Sequence, residues 1–485
     1  MFFGTTARVR ALMVLVCLAG FWGLPPAQAQ PVAVPNPSFE SGDGAPEGWR
    51  LSRENGSWAR EGAHGGRAIA ATGDGKSESA SYWLSGDLPL EPGATYRLRF
   101  QGRHVEGLGR SLFTGFLFNN RDLPELTQEW RQFTTYLAVP TELRRGQAQL
   151  RFGQYDIEGT VAFDDLELVK TTPVYRRLGE LQLGEGERIE KGRYQFNAPF
   201  EGESGNHARP LEKFNTGFNR PRWLFAPGDW VVYRHAVGAV AQTGGEVEVN
   251  VGYYSGGELV VEAGADGGTW TALGTLKSRE MKRLALPPEL FPAKELWVRL
   301  RMPDLPEAGR DPLHGGSLQV HGYTYRASLA EDPGNCQGAT RFVAVTVPDP
   351  ALRVSVEDFG ASIPGENTLR VQVANQGGGD VEIAPVIGAA TAAGRRLERA
   401  SDPVVIPAGG DSVSLDLPYE IPGVGDISLD IALGGASGFR AETSFFLSAL
   451  HEADYGLLLP GNGEDVALWG ASSGWKVSRD RPAPG

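Results

Sequence analysis

Apolar and polar residues alternate with a period of two along most of this chain. In "YRLRFQG", Tyr96, Leu98 and Phe100 fall on one face while Arg97, Arg99 and Gln101 fall on the other. "AQLRFGQY" repeats the pattern with Ala148, Leu150 and Phe152, "EVEVNVGYY" with Val247, Val249 and Val251, and "ELWVRLRM" with Leu296, Val298, Leu300 and Met302. "TLRVQVANQG", "SVSLDLPY" and "ISLDIAL" carry it toward the C-terminal end. Successive strand residues project to opposite faces, so this pattern predicts antiparallel sheets with one buried and one wet face. Long stretches with the 3.6-residue period of an amphipathic helix are missing. The chain is expected to be all-β, built of tandem β-sandwich modules.

Breaks in the pattern fall at "VKTTPVYRR" (169–177), at "EDPGNCQGAT" (331–340) and after "FFLSAL" (445–450). They divide the chain into a first module over 31–172, a second over 173–330, a third over 341–450 and a tail over 451–485. The first two are expected to be jelly-roll or galactose-binding-like sandwiches. The third, with short strands and turn signals such as "NQGGGD" and "PAGGD", is expected to be immunoglobulin-like in pattern. In the second, "ADGGTW" predicts a tight hairpin in which Asp266-Gly267-Gly268 turns the chain and Trp270 packs back.

Composition narrows the class. A chain of 485 residues with 65 Gly, 33 Pro and 11 Trp suits a turn-rich β protein with aromatic surfaces, in about three domains at roughly 100–200 residues each. Residues 1–29 have the form of a secretory signal, with Arg8 and Arg10 before an apolar run and Ala27-Gln28-Ala29 as the cleavage site. Cleavage after Ala29 and export, extracellular or periplasmic, are expected, and no other segment is long and apolar enough to span a bilayer. Without the signal Cys336 is the remaining cysteine, so no internal disulfide is expected. Losing the signal's two Arg takes the formal net charge from −13 to −15, which disfavours nucleic acid and anionic membranes as partners.

"NPSFESGDGAPEGW" from Asn36, with "VAFDDLELV" (161–169), resembles the ends of the carbohydrate-binding modules of the cellulase and xylanase type, which are jelly-roll sandwiches. The resemblance spans residues 33–169. In that family the Glu after the Phe and an Asp of the closing pair share a structural calcium, which implies Glu40 with Asp164 or Asp165 here. Oxygen ligands at the two chain ends of the module would clip it shut. The alternative is that these acids are solvated edge residues.

Sugar binding needs flat apolar surfaces for pyranose rings and polar groups for the hydroxyls. "RSLFTGFLFNNRD" (110–122) offers Phe113, Phe116 and Phe118 beside Asn119, Asn120 and Arg121, and Trp83, Trp130, Gln154 and Tyr155 could add to the face or its rim. The candidate sugar contacts are Trp83, Phe113, Asn119, Asn120, Gln154 and Tyr155. Core positions for the aromatics, Phe116 and Phe118 above all, and turn positions for the asparagines are the competing readings.

Catalytic signatures do not hold up. "GASSG" (470–474) fits G-x-S-x-G at Ser472, but that signature needs an acid and then a His downstream, and no His lies after His451. "GDGKS" (73–77) lacks the first Gly of a phosphate loop, position 70 being Ala. His207, His235 and His321 have no metal-ligand spacing. The tail "VALWGASSGWKVSRDRPAP" resembles the segment before the catalytic barrel of bacterial β-N-acetylgalactosaminidase-like glycoside hydrolases, through Trp469, Trp475, Lys476, Val477, Arg479, Asp480 and Pro482. The catalytic acids of that family lie beyond this segment.

The sequence therefore points to a secreted, monomeric, multi-module protein that adsorbs to a polysaccharide through its N-terminal jelly roll, with a structural calcium as its expected cofactor. Two alternatives stay open. One is the non-catalytic N-terminal part of a glycoside hydrolase whose barrel lies beyond residue 485, and the other is a structural adhesion protein.

Overall fold

The computed structural model describes residues 31–447, apart from 60, 109–111, 117, 124–126, 203, 305–316, 348–350, 361, 392–393, 424 and 433–439. The expected leader and the tail with its hydrolase resemblance lie outside the described residues. What is described is all-β, with two short 3₁₀ turns at Ser77–Ser79 and Pro288–Leu290 and no α-helix among the described residues.

Period-two alternation becomes two facing sheets at the N-terminal end. One sheet orders the strands Gly56–Ala59, Ala68–Asp74, Glu158–Leu178, Thr95–Leu108 and Arg131–Ala138. The other orders Trp49–Leu51, Ser81–Asp87, Gln149–Gln154, Leu112–Phe116 and Asn119–Asp122. Between them lies a core that includes Phe39, Trp49, Ile69, Trp83, Leu98, Phe100, Phe116, Phe118, Leu150, Phe152 and Phe163. Each fully buried Leu or Phe stabilises by roughly 1.5–3 kcal/mol, so such a core holds without a disulfide. Two further cores follow, one built largely from residues 181–327 and one largely from 343–431.

The sandwiches are not beads on a string. Residues 169–177, expected as a break, are part of one continuous strand, Glu158–Leu178. Its first part pairs with Thr95–Leu108, and from Thr172 to Tyr175 it pairs with Thr340–Thr346 of the third module. Leu168 belongs to the first core and Val174 to the third, so a single strand serves both. The apolar alternation lapses over Lys170–Pro173, but the strand runs on through Pro173.

The first and second sandwiches are joined edge to edge. Asn119 and Asn120 pair in parallel with Phe218 and Asn219, so the sheet of Ser81–Asp87 continues into the second sandwich. Phe218 N–H donates to the Phe118 carbonyl at 2.8 Å and Arg220 N–H to the Asn120 carbonyl at 3.1 Å. Beside this seam the Asn206 amide donates to the Ala138 carbonyl at 2.9 Å, and its oxygen accepts from Ala138 N–H and the Asn119 amide, each at 2.8 Å.

Candidate functional site

Strand register decides which side chains can meet a ligand. Residues paired across antiparallel strands share a face. On the Ser81–Asp87 sheet, Trp83 pairs with Phe152, and Phe116 pairs with Leu150 and Asn119; these positions face the core. The opposite parity holds Tyr82 opposite Gly153, and Leu84 opposite Arg151, with Arg151 opposite Gly115 and Gly115 opposite Asn120. That second set forms the outer face. Gly153 and Gly115 have no side chains, so the floor between Tyr82, Arg151 and Asn120 stays low.

The outer face has the chemistry a sugar needs. The Arg151 guanidinium lies 5.5 Å from the Tyr82 ring centroid and donates to the Asn120 side-chain oxygen. Burial pushes the Arg151 guanidinium down to about 10, with Tyr82 opposing, so it stays charged at neutral pH. Burial likewise raises the Tyr82 phenol, so that ring stays neutral. Tyr155, just beyond the end of the neighbouring strand, is 40% exposed. An aromatic ring beside planar donors can stack a pyranose and bond its hydroxyls.

Three of the expected sugar contacts are corrected. Trp83 is 4% exposed, and its indole N–H donates to the Ala70 carbonyl at 2.9 Å inside the first core. Gln154 is fully buried, donating to the Thr72 and Ser79 carbonyls at 3.1 and 2.7 Å and accepting from Ile157 N–H at 3.3 Å. Asn119 faces the core side and spends its amide on Asn206 across the seam. Each is largely enclosed by the fold and bonded within it. Asn120 lies on the outer face, although it is 4% exposed and tied to Arg151. Phe113 pairs through its backbone with Gly153 and Asp122, and its side chain lies outside the described residues. Phe116 and Phe118 stack on each other in the core, with centroids 5.1 Å apart.

At the other edge of this sandwich, Phe39 takes a positive φ of 56° and Asp165 one of 48°. These bends aim Glu40 and Asp164 at the loop 62–67. Glu40 Oε1 accepts from Arg67 N–H at 2.9 Å, and Asp164 Oδ2 accepts from Ala63 N–H at 2.7 Å. A Cβ on Gly62 would sit 2.8 Å from Asp164 Oδ2, 2.8 Å from the Arg67 carbonyl oxygen and 2.9 Å from the Gly65 carbonyl oxygen. Burial first, then the charges of Asp165 and Glu40, push the Asp164 carboxyl up to about 6. This is a cradle of oxygen atoms under negative strain, the donor set that a hard cation relieves. Asp165 turns away from it, with Oδ2 2.5 Å from His64 Nδ1. Among the described residues no group of three or more His, Cys, Asp or Glu side chains converges as a metal site. The cradle therefore offers two carboxylates and backbone carbonyls.

Two histidines of the second sandwich are structural. His207 Nε2 lies 3.1 Å from the Tyr175 hydroxyl, and His235 Nε2 lies 2.9 Å from that of Tyr323, with its ring stacked on Tyr325.

No protein-family profile matches the sequence, and a search of curated proteins finds no match. Among solved structures the chain is similar to the N-terminal CBM22-1–CBM22-2 tandem domain from Paenibacillus barcinonensis Xyn10C, at 13% identity and a TM-score of 0.23, over 63% of this chain and 100% of that one. It is also similar to the CBM22-1–GH10 modules of the Clostridium thermocellum endo-1,4-beta-D-xylanase 10B, complexed with xylohexaose, at 16% identity and a TM-score of 0.22, over 29% of this chain and 28% of that one. A third is a β-glucuronidase from glycoside hydrolase family 2, at 13% identity and a TM-score of 0.16, of which the chain spans 24%. The functional reading rests on the side chains of the outer face.

Proposed function

We propose that this protein is an exported polysaccharide-binding protein, held on its glycan by the outer face of the first sandwich. The observation that carries this reading is the Tyr82–Arg151–Asn120 row beside exposed Tyr155, over a floor of two glycines. Tyr82 stacks the apolar face of a sugar ring, and Arg151 donates to its hydroxyls. The other sandwiches carry and orient this face.

Native-gel affinity electrophoresis through soluble xylan, mixed-linkage glucan and galactomannan tests it. Retardation by at least one glycan is expected, with a loss of tenfold or more for Tyr82→Ala and Arg151→Ala. Equal retardation of both variants, or none for the native chain on any of the three, overturns the reading.

Glu40 and Asp164, with loop carbonyls at 62–67, would hold a calcium ion that clips the two ends of the module together. On addition of calcium the melting temperature of the native chain should rise, and Glu40→Gln with Asp164→Asn should remove that rise. A rise that persists in the double variant places the ion elsewhere.

A second reading, a non-catalytic part of a glycoside hydrolase, rests on the tail pattern from Trp469 to Pro482. It requires an in-frame βα-alternating continuation past the codon for Gly485, and sequencing the coding DNA decides it.

A further inference from the structure

The sheet that carries Tyr82 does not end at the first sandwich. Through the parallel pairing of Asn120 with Asn219 its outer face passes into the second, where Asn219 pairs with Arg222. Trp223 pairs with Val320 and Leu224 with Gln319, which sets Arg222 opposite His321 on that same face. Gln319 in turn pairs with Tyr253. From the strand of Tyr82 to the strand of Tyr253 is seven strand spacings, about 34 Å along the sheet.

The far end of this surface is a second aromatic platform with basic groups around it. Tyr253 is 38% exposed, and the Arg279 guanidinium lies 5.7 Å from its ring centroid. His321 is exposed, and its ring lies over Gly252, the neighbour of Tyr253, where a Cβ would meet it at 2.6 Å. Burial, then the nearby Arg222 and Arg279 charges, hold this imidazole below its usual range. Among the described residues neither arginine has a carboxylate partner. The acids close by are already engaged: Glu280 accepts from Lys277 N–H and the Ser278 hydroxyl, and Glu248 accepts from Arg283 and Arg326.

Further along the same face the balance is different. Arg283 and Arg326 are matched by Glu246 and Glu248 at 2.8–3.5 Å, so that patch is close to neutral. The Arg222–Arg279 patch keeps its charge in a protein of net charge −13. The overall negative charge acts weakly on a bound ligand, since fields fade over about 8 Å at physiological ionic strength. Contact groups decide instead.

We infer that Tyr253, Arg222, Arg279 and His321 form a second glycan site, selective for sugars that carry an anionic group. Tyr253 takes the apolar face of the ring, and the guanidiniums take the carboxylate or sulfate by charge-assisted hydrogen bonds. Because the two sites share one sheet surface, a long chain can lie across the seam and gain from both. The inference takes its ligand class from the glycan-binding reading but rests on different residues.

The test is affinity electrophoresis and titration calorimetry of the full chain with polygalacturonate, dextran sulfate, neutral dextran and polyglutamate. Binding to polygalacturonate or dextran sulfate is expected, falling tenfold or more in Arg222→Ala/Arg279→Ala and in Tyr253→Ala, and weakening as salt rises. The two anionic polymers separate carboxylate from sulfate recognition. Tyr82→Ala should keep most of this binding, forfeiting only what the first face adds, while losing that of neutral glycans. Native-like anionic binding in the double variant, equal binding of polyglutamate, or no binding of either anionic glycan overturns the inference. Loss in the double variant alongside an unaffected Tyr82→Ala on neutral glycans supports it while overturning the first-face reading.

Discussion

Residue type suggested ligands, and side-chain direction chose among them. Asn119 and Asn120 are adjacent in a strand, so they face opposite ways and only one can lie on the outer side. Gln154 continues the series Ala148, Leu150, Phe152, and its own parity placed it inward; that signal was present in the sequence. Sequence alone does not separate Tyr82 from the larger Trp83, because "SYWLSGD" has no clean alternation to say which of the two is buried. The difference is measurable. Trp83→Ala should destabilise the chain by about 3–5 kcal/mol, as core aromatic truncations do, whereas Tyr82→Ala should cost about 1 kcal/mol or less. Thermal unfolding of the two variants distinguishes them.

A second residue-level consequence concerns acid. Burial holds His207 down at about 4 and His235 well below its usual range. The unfolded chain takes up their protons as pH falls below about 6.5 and the folded chain does not, so each removes about 1.4 kcal/mol of stability per pH unit. Asp164, raised to about 6, works the other way, because below pH 6 it is the folded form that holds the extra proton. At least one histidine is thus left uncompensated between pH 5 and 6, since burial also holds His104 and His321 below the usual imidazole range. Stability should fall there by about 1.4 kcal/mol per unit of acidification or more, and His207→Gln should make the slope shallower. Urea titrations at several pH values check both.

At the scale of elements, strands were easier to read than their ends or their partners. The apolar faces of Thr95–Leu108, Gln149–Gln154 and Glu295–Arg301 match their alternation. The strand Glu158–Leu178 was cut at 169–177 because a Pro and two Thr resemble a linker, yet Val169 and Val174 are buried and the pairing simply changes partner. Which strand lies beside which is a long-range matter that alternation does not record. The seam is the clearest instance: an exposed sheet edge needs covering, and the second sandwich supplies a strand to cover it. Asn206 fastens that junction with three hydrogen bonds. Asn206→Ala leaves buried backbone groups of Ala138 unpaired, which should cost about 1–3 kcal/mol or more. Hydrogen exchange should then speed up at Ala138 and at Asn119–Asn120, ahead of the sandwich cores.

Across the whole molecule the three cores are coupled by shared elements. Tyr136 of the first sandwich stacks on Phe342 of the third at 4.4 Å, and Arg144 reaches Asp229 of the second at 2.7 Å. With one strand common to two cores and one sheet common to two sandwiches, partial unfolding exposes apolar surface on the neighbour. Calorimetry should therefore show one transition in which the van't Hoff and calorimetric enthalpies approach each other. Three resolved transitions would show independent modules. The same coupling fixes the distance between the Tyr82 and Tyr253 platforms, which a flexible linker would leave variable.

The sequence by itself determined the class: alternation, turn residues and the lack of a helical period admit only packed β-sheets. The bends at Phe39 and Asp165, both at positive φ, came only with the structure. The tertiary structure decided which face of each sheet is buried, because parity is relative until one partner strand is known. It decided that residues far apart in the chain, Asn120, Arg222 and Tyr253, share one surface. Local patterns record the side on which a residue stands within its own strand; only the pairing of distant strands brings those sides together.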